Sequence, residues 1–330
     1  MSVRLSLAVE TGGFSVPDVG RIVVFHPSSD LDLSALPKER MLIVQPFAPD
    51  HSAFTAQGYD CVAELPSDER FAAGLVLLPR AKALMRGLFA NAAAVCDGPV
   101  LVDGGKTEGI DSALKALRAR TEVSTPISKA HGKAFWFNGA TADLSDWQME
   151  PSQINGGFQT APGVFSADGI DPASALLAAA LPEKLGRTVV DLGAGWGYLA
   201  AEILRCETVR TLHLVEADHN ALNCARHNVS DPRAQFHWSD ARAWQAPERV
   251  DCVVSNPPFH TARAAEPSLG QAFITAASGM LAPAGVLWIV ANRHLPYETT
   301  LTEQFVTLDE IAGDNRFKVL RASRPRRHRR

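Results

Sequence analysis

Two stretches of this 330-residue chain hold residue types that could do chemistry, each where an apolar run stops. The first is Val189-Val190-Asp191-Leu192-Gly193-Ala194-Gly195-Trp196-Gly197. Glycines let a backbone approach a bound molecule closely, and a helix starting behind them favours a negative group. The spacing is G-x-G-x-G, whereas a dinucleotide fingerprint needs G-x-G-x-x-G. Asp191, two residues before the first glycine, would repel a pyrophosphate. It would welcome an ammonium, and the methionine moiety of S-adenosylmethionine carries one.

Two further acids stand at the ends of the next strand-like runs. Glu216 follows Asp191 by 25 residues, comparable with the roughly 20-residue offset of a ribose-binding acid in nucleotide-binding sheets. A carboxylate there can accept both ribose hydroxyls. Asp240, in Trp238-Ser239-Asp240-Ala241, can accept from an adenine amino group. Either acid alone is ordinarily a solvated loop residue. Three acids at successive carboxyl ends of parallel strands converge on one crevice. Asp191, Gly193, Gly195, Glu216 and Asp240 therefore read together as a cofactor site.

The second stretch is Val253-Val254-Ser255-Asn256-Pro257-Pro258-Phe259. Consecutive prolines cannot continue a sheet ladder, so Pro257 and Pro258 fix the turn and expose its carbonyls. The exocyclic amine of a nucleobase is a poor nucleophile because its lone pair is delocalised into the ring. The Asn256 side-chain carbonyl and the Pro257 backbone carbonyl can accept its two N–H groups and localise that lone pair toward a methyl sulfonium. Catalysis is then mainly alignment, with reacting atoms about 3–3.5 Å apart. Phe259 offers a stacking face for a splayed base, usually worth around 1–3 kcal/mol. An aspartate at position 256 would still accept hydrogen bonds and should retain more activity than alanine. His260 reads as a supporting or solvated residue. Gly104-Gly105-Lys106-Thr107 fails as a phosphate loop, which needs glycine where the chain has Val100. No G-x-S-x-G, H-E-x-x-H or paired-cysteine zinc pattern occurs, and no metal is expected.

These residues need a scaffold. From residue 188 onward, strands read at Thr188–Leu192, Thr211–Glu216, Ala234–Trp238, Val250–Ser255 and 286–291. Helical stripes lie between them, over 196–205 and 269–281. That alternation marks a mainly parallel sheet covered by helices. The first 150 residues alternate less clearly, with strands at 21–25, 41–44 and 100–102 and helices at 75–94 and 112–120. The stretch 148–163, rich in Gly, Pro and polar residues, is the candidate junction. The expected class is α/β, with one domain over 1–150 and a second over 151–330.

Composition fits a soluble globular protein, with 46% hydrophobic and 21% charged residues. No export signal is read at the N-terminus, and the most apolar run, 173–181, is too short to span a bilayer. The five cysteines are scattered without C-x-x-C spacing, which argues against a disulfide framework and fits a cytoplasmic protein. Net charge is −4, yet residues 316–330 hold eight Lys or Arg and no acid. This basic C-terminal tail, with Arg324, Arg326, Arg327, Arg329 and Arg330, either contacts RNA phosphates or is a solvated end.

D-L-G-A-G-W-G with S-N-P-P-F-H resembles the small-methyltransferase family, in its branch of bacterial ribosomal RNA guanine-N2 methyltransferases. Residues 162–171 (P-G-V-F-S-A-D-G-I-D), 289–298 (I-V-A-N-R-H-L-P-Y-E) and 316–322 (R-F-K-V-L-R-A) carry the same resemblance. L-P-R-A-K-A-L at 78–84 and D-G-G-K-T-E-G-I-D-S at 103–112 extend it more loosely into the first half. The resemblance implies two tandem Rossmann-like S-adenosylmethionine methyltransferase domains. The N-terminal one would be degenerate and help hold RNA, and no D-x-G-x-G-x-G occurs before residue 150. It implies Asn256, Pro257, Pro258 and Phe259 as catalytic residues and puts Phe165 and Ser166 near the cofactor. The partner would be ribosomal RNA, 16S foremost, or a ribosomal subunit, with no membrane and with a monomer expected. Enzymes methylating protein glutamine or DNA adenine share the N-P-P motif, commonly with Tyr after it. A non-catalytic RNA-binding assembly factor is the reading from another class.

Overall fold

The computed structural model describes residues 3–10, 13–258 and 267–326. Phe259, His260, Arg327, Arg329 and Arg330 lie outside the described residues. The chain divides into two compact units, Met1–Pro151 and Ser152–Arg330.

The first unit runs α1 (Val3–Glu10), β1 (Ile22–Phe25), β2 (Met41–Val44), α2 (Ala48–Ala56), β3 (Asp60–Val62) and β4 (Ala73–Leu77). It continues with α3 (Lys82–Val95), β5 (Pro99–Gly105), α4 (Ile110–Arg118), β6 (Ile127–Lys129) and β7 (Gly132–Asn138). Among the described residues its strands form a seven-stranded sheet in the order β3-β2-β1-β4-β5-β7-β6. The first five strands pair in parallel, whereas β7 runs antiparallel to β5 and β6. Every residue of β1 and β2 is buried, because both faces of a parallel sheet are covered. Val23 and Phe25 enter one core cluster while Ile22 and Val24 enter the other, as a period of two requires.

The second unit opens with a small hairpin, β8 (Ser152–Gln153) and β9 (Gln159–Thr160), then α5 (Pro172–Ala180), β10 (Thr188–Leu192), α6 (Tyr198–Leu204) and β11 (Thr211–Glu216). It goes on through α7 (His219–Asn228), β12 (Ala234–Trp238), β13 (Val250–Ser255), α8 (Pro267–Met280) and β14 (Leu281–Asn292). It closes with α9 (Tyr297–Gln304), β15 (Phe305–Gly313) and β16 (Phe317–Pro325). The sheet order β12-β11-β10-β13-β14-β16-β15 repeats that of the first unit. In both sheets the strand order reverses at the first strand, between β1 and β4 and between β10 and β13. A crevice at the carboxyl ends of the strands is the usual ligand site at such a switch point.

Two expectations need correction. Residues 75–94 are not one helix: they hold the end of β4 and then α3. A strand buried on both faces carries the same continuous apolar run as a buried helix, and Pro79 separates the two elements. Nor does a basic tail begin at 316, because 317–325 form an interior strand. There Lys318 is only 4% exposed, donating to the Glu298 carboxylate and the Leu295 carbonyl. Arg321 pairs with Asp309 of the neighbouring strand. Charges neutralised inside a sheet look, in composition, like a solvated run. No helix of the described residues is long and apolar enough to cross a membrane.

Candidate active site

Asp191 sits on β10, an interior strand, opposite Leu214 of β11 and Val254 of β13. It is 0% exposed, and neither of its oxygens has a well-formed hydrogen bond among the described residues. Burial, reinforced by the nearby charge of Glu216, pushes its carboxyl up to about 8, and the Ala200 amide opposes this only weakly. A buried, unsatisfied carboxyl is costly and calls for a cationic partner.

The loop after β10 turns through three left-handed glycines, Gly193 at φ 82°, Gly195 at 55° and Gly197 at 93°. The amides of Gly193 and Ala194 donate to the Val215 carbonyl at 2.9 and 3.1 Å, which ties the loop to β11. A methyl group at Gly197 would press on Val229 and Ala225 at 3.1 and 3.3 Å, so this glycine serves packing. A methyl group at Gly195 would meet nothing within 4 Å, so here the backbone is open to a ligand. Glu216, half-buried at the end of β11, holds this loop from behind. One carboxylate oxygen accepts from the Gly195 amide at 2.7 Å and the other from the Asp218 amide at 2.9 Å. Burial pushes its carboxyl up, against the pull of those amides. Asp240 instead grips Arg242: both carboxylate oxygens meet the guanidinium, the closest contact being 2.7 Å.

Asn256 follows β13, whose last residue, Ser255, donates to the Leu192 carbonyl at 2.7 Å. Its side-chain nitrogen donates to Asp171 Oδ2 at 2.9 Å and to Ser174 Oγ at 2.8 Å. Both amide hydrogens are thereby used. The carbonyl oxygen Oδ1 is shut off from solvent and accepts nothing among the described residues. Pro257 is buried and Pro258 exposed.

Phe165 and Ser166 line one cavity with Asp171, Ser174, Gly193, Gly195 and Asn256, whereas Asp191, Glu216 and Asp240 do not line it. Phe165 is 59% exposed, and its carbonyl accepts from the Trp196 indole at 3.0 Å. Ser166 takes a left-handed φ of 52° and donates to the Gly169 carbonyl at 2.7 Å. Asn228 joins this segment to the glycine loop by donating to the carbonyls of Gln159 and Trp196, both at 2.8 Å. Of the residues expected at the tail, Arg324 is exposed and Arg326 is held by the carbonyls of Thr302 and Phe305.

Asp171 and Ser174 were missed as functional residues. In the sequence, Asp171-Pro172 marks only a helix start, with the acid at the N-cap and proline at the first helical position. Their link to Asn256 spans 85 and 82 residues. No local pattern reports such a contact.

The model of the Methyltransferase small domain matches residues 155–321. The ribosomal RNA small subunit methyltransferase C of Shewanella halifaxensis is 34% identical over 269 residues, 78% of each chain. That of Shewanella oneidensis is 31% identical over the same shares. Among solved structures, the T. thermophilus 16S rRNA N2 G1207 methyltransferase in complex with AdoMet and guanosine superposes with a TM-score of 0.80 at 25% identity. The match covers 97% of this chain and 91% of that one.

Proposed function

Because the chain belongs to the Methyltransferase small domain family, with ribosomal RNA small subunit methyltransferase C proteins as relatives over most of its length, we propose that it methylates the exocyclic N2 amine of a guanine in 16S ribosomal RNA, using S-adenosylmethionine. The observation that carries this reading is the Asn256 amide, whose nitrogen is fully engaged while its oxygen lacks a donor. An amine arriving at that oxygen satisfies it.

Bound S-adenosylmethionine supplies an electrophilic methyl group on a sulfonium. The unsatisfied oxygens of Asp191 fit its ammonium, and the open backbone at Gly195 fits close approach of the ligand. Glu216 would take the ribose hydroxyls through its remaining lone pairs, with Gly193, Phe165 and Ser166 lining the site. Asp240 would take the adenine amine, sharing its carboxylate with Arg242. Asn256 Oδ1 and the Pro257 carbonyl accept the two N–H groups of the guanine amine. These bonds tighten as the nitrogen becomes tetrahedral, so they stabilise the transition state more than the bound base. Phe259 would stack on the splayed base.

Incubation with 16S RNA or small subunits and labelled cofactor, followed by digestion and mass spectrometry, tests the reading. N2-methylguanosine is the expected product. N6-methyladenosine or methylated glutamine would move the assignment to the alternative amines, and binding without transfer would make the protein an assembly factor.

The N-terminal unit, in this reading, is a degenerate copy that supports RNA binding. After β1 the chain has His26-Pro27-Ser28 where the second unit has glycines, and Arg4 forms an ion pair with Asp103 beside that crevice. The protein would act as a cytoplasmic monomer.

RNA contacts by the terminal arginines are tested by deleting 327–330. This removes Arg327, Arg329 and Arg330 without touching β16. Binding should weaken, and the slope of log K against log salt should flatten by roughly 2 for three lost phosphate contacts. An unchanged slope returns these residues to a solvated end. Cutting after Ala322 would be a poorer probe, since Ser323 and Pro325 pair with β15.

A further inference from the structure

We propose that Asp171 and Ser174 are positioning residues that fix which way the Asn256 amide faces and strengthen its carbonyl as an acceptor. The inference rests on the methyltransferase reading above and extends it to two residues outside the N-P-P motif.

An asparagine amide is nearly symmetric in shape, so packing alone barely distinguishes its oxygen from its nitrogen. Charge does. The Asp171 carboxylate lies 2.9 Å from Asn256 Nδ2. A flipped amide would set Oδ1 against that carboxylate, two acceptors with no proton between them. Ser174 could not make this choice alone, because a hydroxyl donates as readily as it accepts. Its oxygen, 2.8 Å from Nδ2, takes the second amide hydrogen once Asp171 has set the orientation. Asp171 is held in turn by the helix it caps: Oδ2 accepts the Ser174 amide at 2.8 Å. Cap and catalytic amide thus share one carboxylate oxygen.

The same contacts polarise the amide. Donation from nitrogen to a carboxylate draws the nitrogen lone pair into the C=O bond and raises the negative charge on Oδ1. Hydrogen bonds in such a chain reinforce each other where water is excluded. Oδ1 has no donor among the described residues, so the gain goes to whichever N–H reaches it.

The test compares single-turnover transfer and cofactor affinity in Asp171→Asn, Ser174→Ala, Asn256→Asp, Asn256→Ala and the double variant Asp171→Asn/Asn256→Ala. Asparagine is as good an N-cap as aspartate, so Asp171→Asn should fold normally, and transfer is compared at saturating cofactor. Its transfer rate should fall roughly ten- to a hundredfold, with little change in KM for RNA. Asn256→Asp sets two carboxylates against each other and should be as impaired as an alanine variant. This reverses the expectation that aspartate retains more activity. The double variant Asp171→Asn/Asn256→Ala should transfer no more slowly than Asn256→Ala alone, because Asp171 acts only through the amide, a coupling that a helix cap alone would not produce. If Asp171→Asn transfers at the wild-type rate while Asn256→Ala is inactive, the positioning role is wrong and the methyltransferase reading stands. A further loss in the double variant beyond that of Asn256→Ala also overturns it. If the wild type yields no N2-methylguanosine, the reading of the reaction fails instead.

Discussion

Asn256→Ala is expected to cut single-turnover methyl transfer by roughly a hundred- to a thousandfold, the scale on which losing one aligned transition-state hydrogen-bonding group usually acts. Cofactor affinity should hardly change, since Asp191 and the glycine loop are untouched. The loss should fall on the rate at saturating RNA rather than on KM, because the contact strengthens only as the amine leaves planarity. Some stability goes too. Truncation strips Asp171 and Ser174 of a shared donor, at a cost of about 1–3 kcal/mol. Thermal melts should therefore accompany the kinetics, and assays should run well below the variant's midpoint. Near-normal transfer would remove Asn256 from the mechanism.

Asp191→Asn should weaken S-adenosylmethionine binding by roughly ten- to a hundredfold at pH 8, and the pH dependence should identify the cause. In the cofactor-free protein the Asp191 carboxyl titrates at about 8. Near pH 7 it is therefore mostly protonated, and meeting an ammonium must expel that proton. Wild-type affinity should climb with pH up to about 8 and then decline, as an α-amino group of ordinary pKa, about 7.7–8.0, loses its own proton. Calorimetry at pH 7 in buffers of different ionisation enthalpy should find close to one proton released by the wild type and almost none by Asp191→Asn. Stability moves the opposite way. A carboxyl raised above its unfolded value costs nothing at low pH, and the penalty grows as pH rises from about 4 to about 8. Without cofactor, Asp191→Asn should be the more stable protein at pH 8, by on the order of 5 kcal/mol for a carboxyl raised from about 4 to about 8, with the difference vanishing toward pH 4. Equal proton release from both proteins would detach Asp191 from the ammonium.

How much could be read from the sequence follows from how local each feature is. The bounds of β10, β11, β12 and β13 were legible because each is a compact run ended by glycine, proline or an acid. The glycine loop and the Asn-Pro turn were legible because they lie at those ends. Trp196 belongs to the loop rather than to α6, and only its burial at 4% reveals that it packs under the turn. What was illegible depends on contacts between distant segments. Asp171 resembles any helix cap until Asn256 is brought to it. Lys318 resembles a tail residue until β14 and β15 close around it and Glu298 takes its charge. Asp240 looked like an unoccupied acceptor, and Arg242, two residues on, turned out to hold it.

The order of strands at the antiparallel end also governs how each unit can be assembled. Among the described residues, β15 pairs only with β16, and β6 only with β7, although each precedes its partner in the chain. Neither can be laid onto the sheet when it emerges, because the neighbour it needs follows it. β15 therefore joins its sheet with or after β16, and β6 with or after β7, as the later strand docks on β14 or β5. Until docking, β14 presents a long unpaired apolar edge to any other chain, the situation in which partly folded sheets aggregate. Refolding at rising protein concentration should therefore lose yield at this late step, after the parallel core has formed.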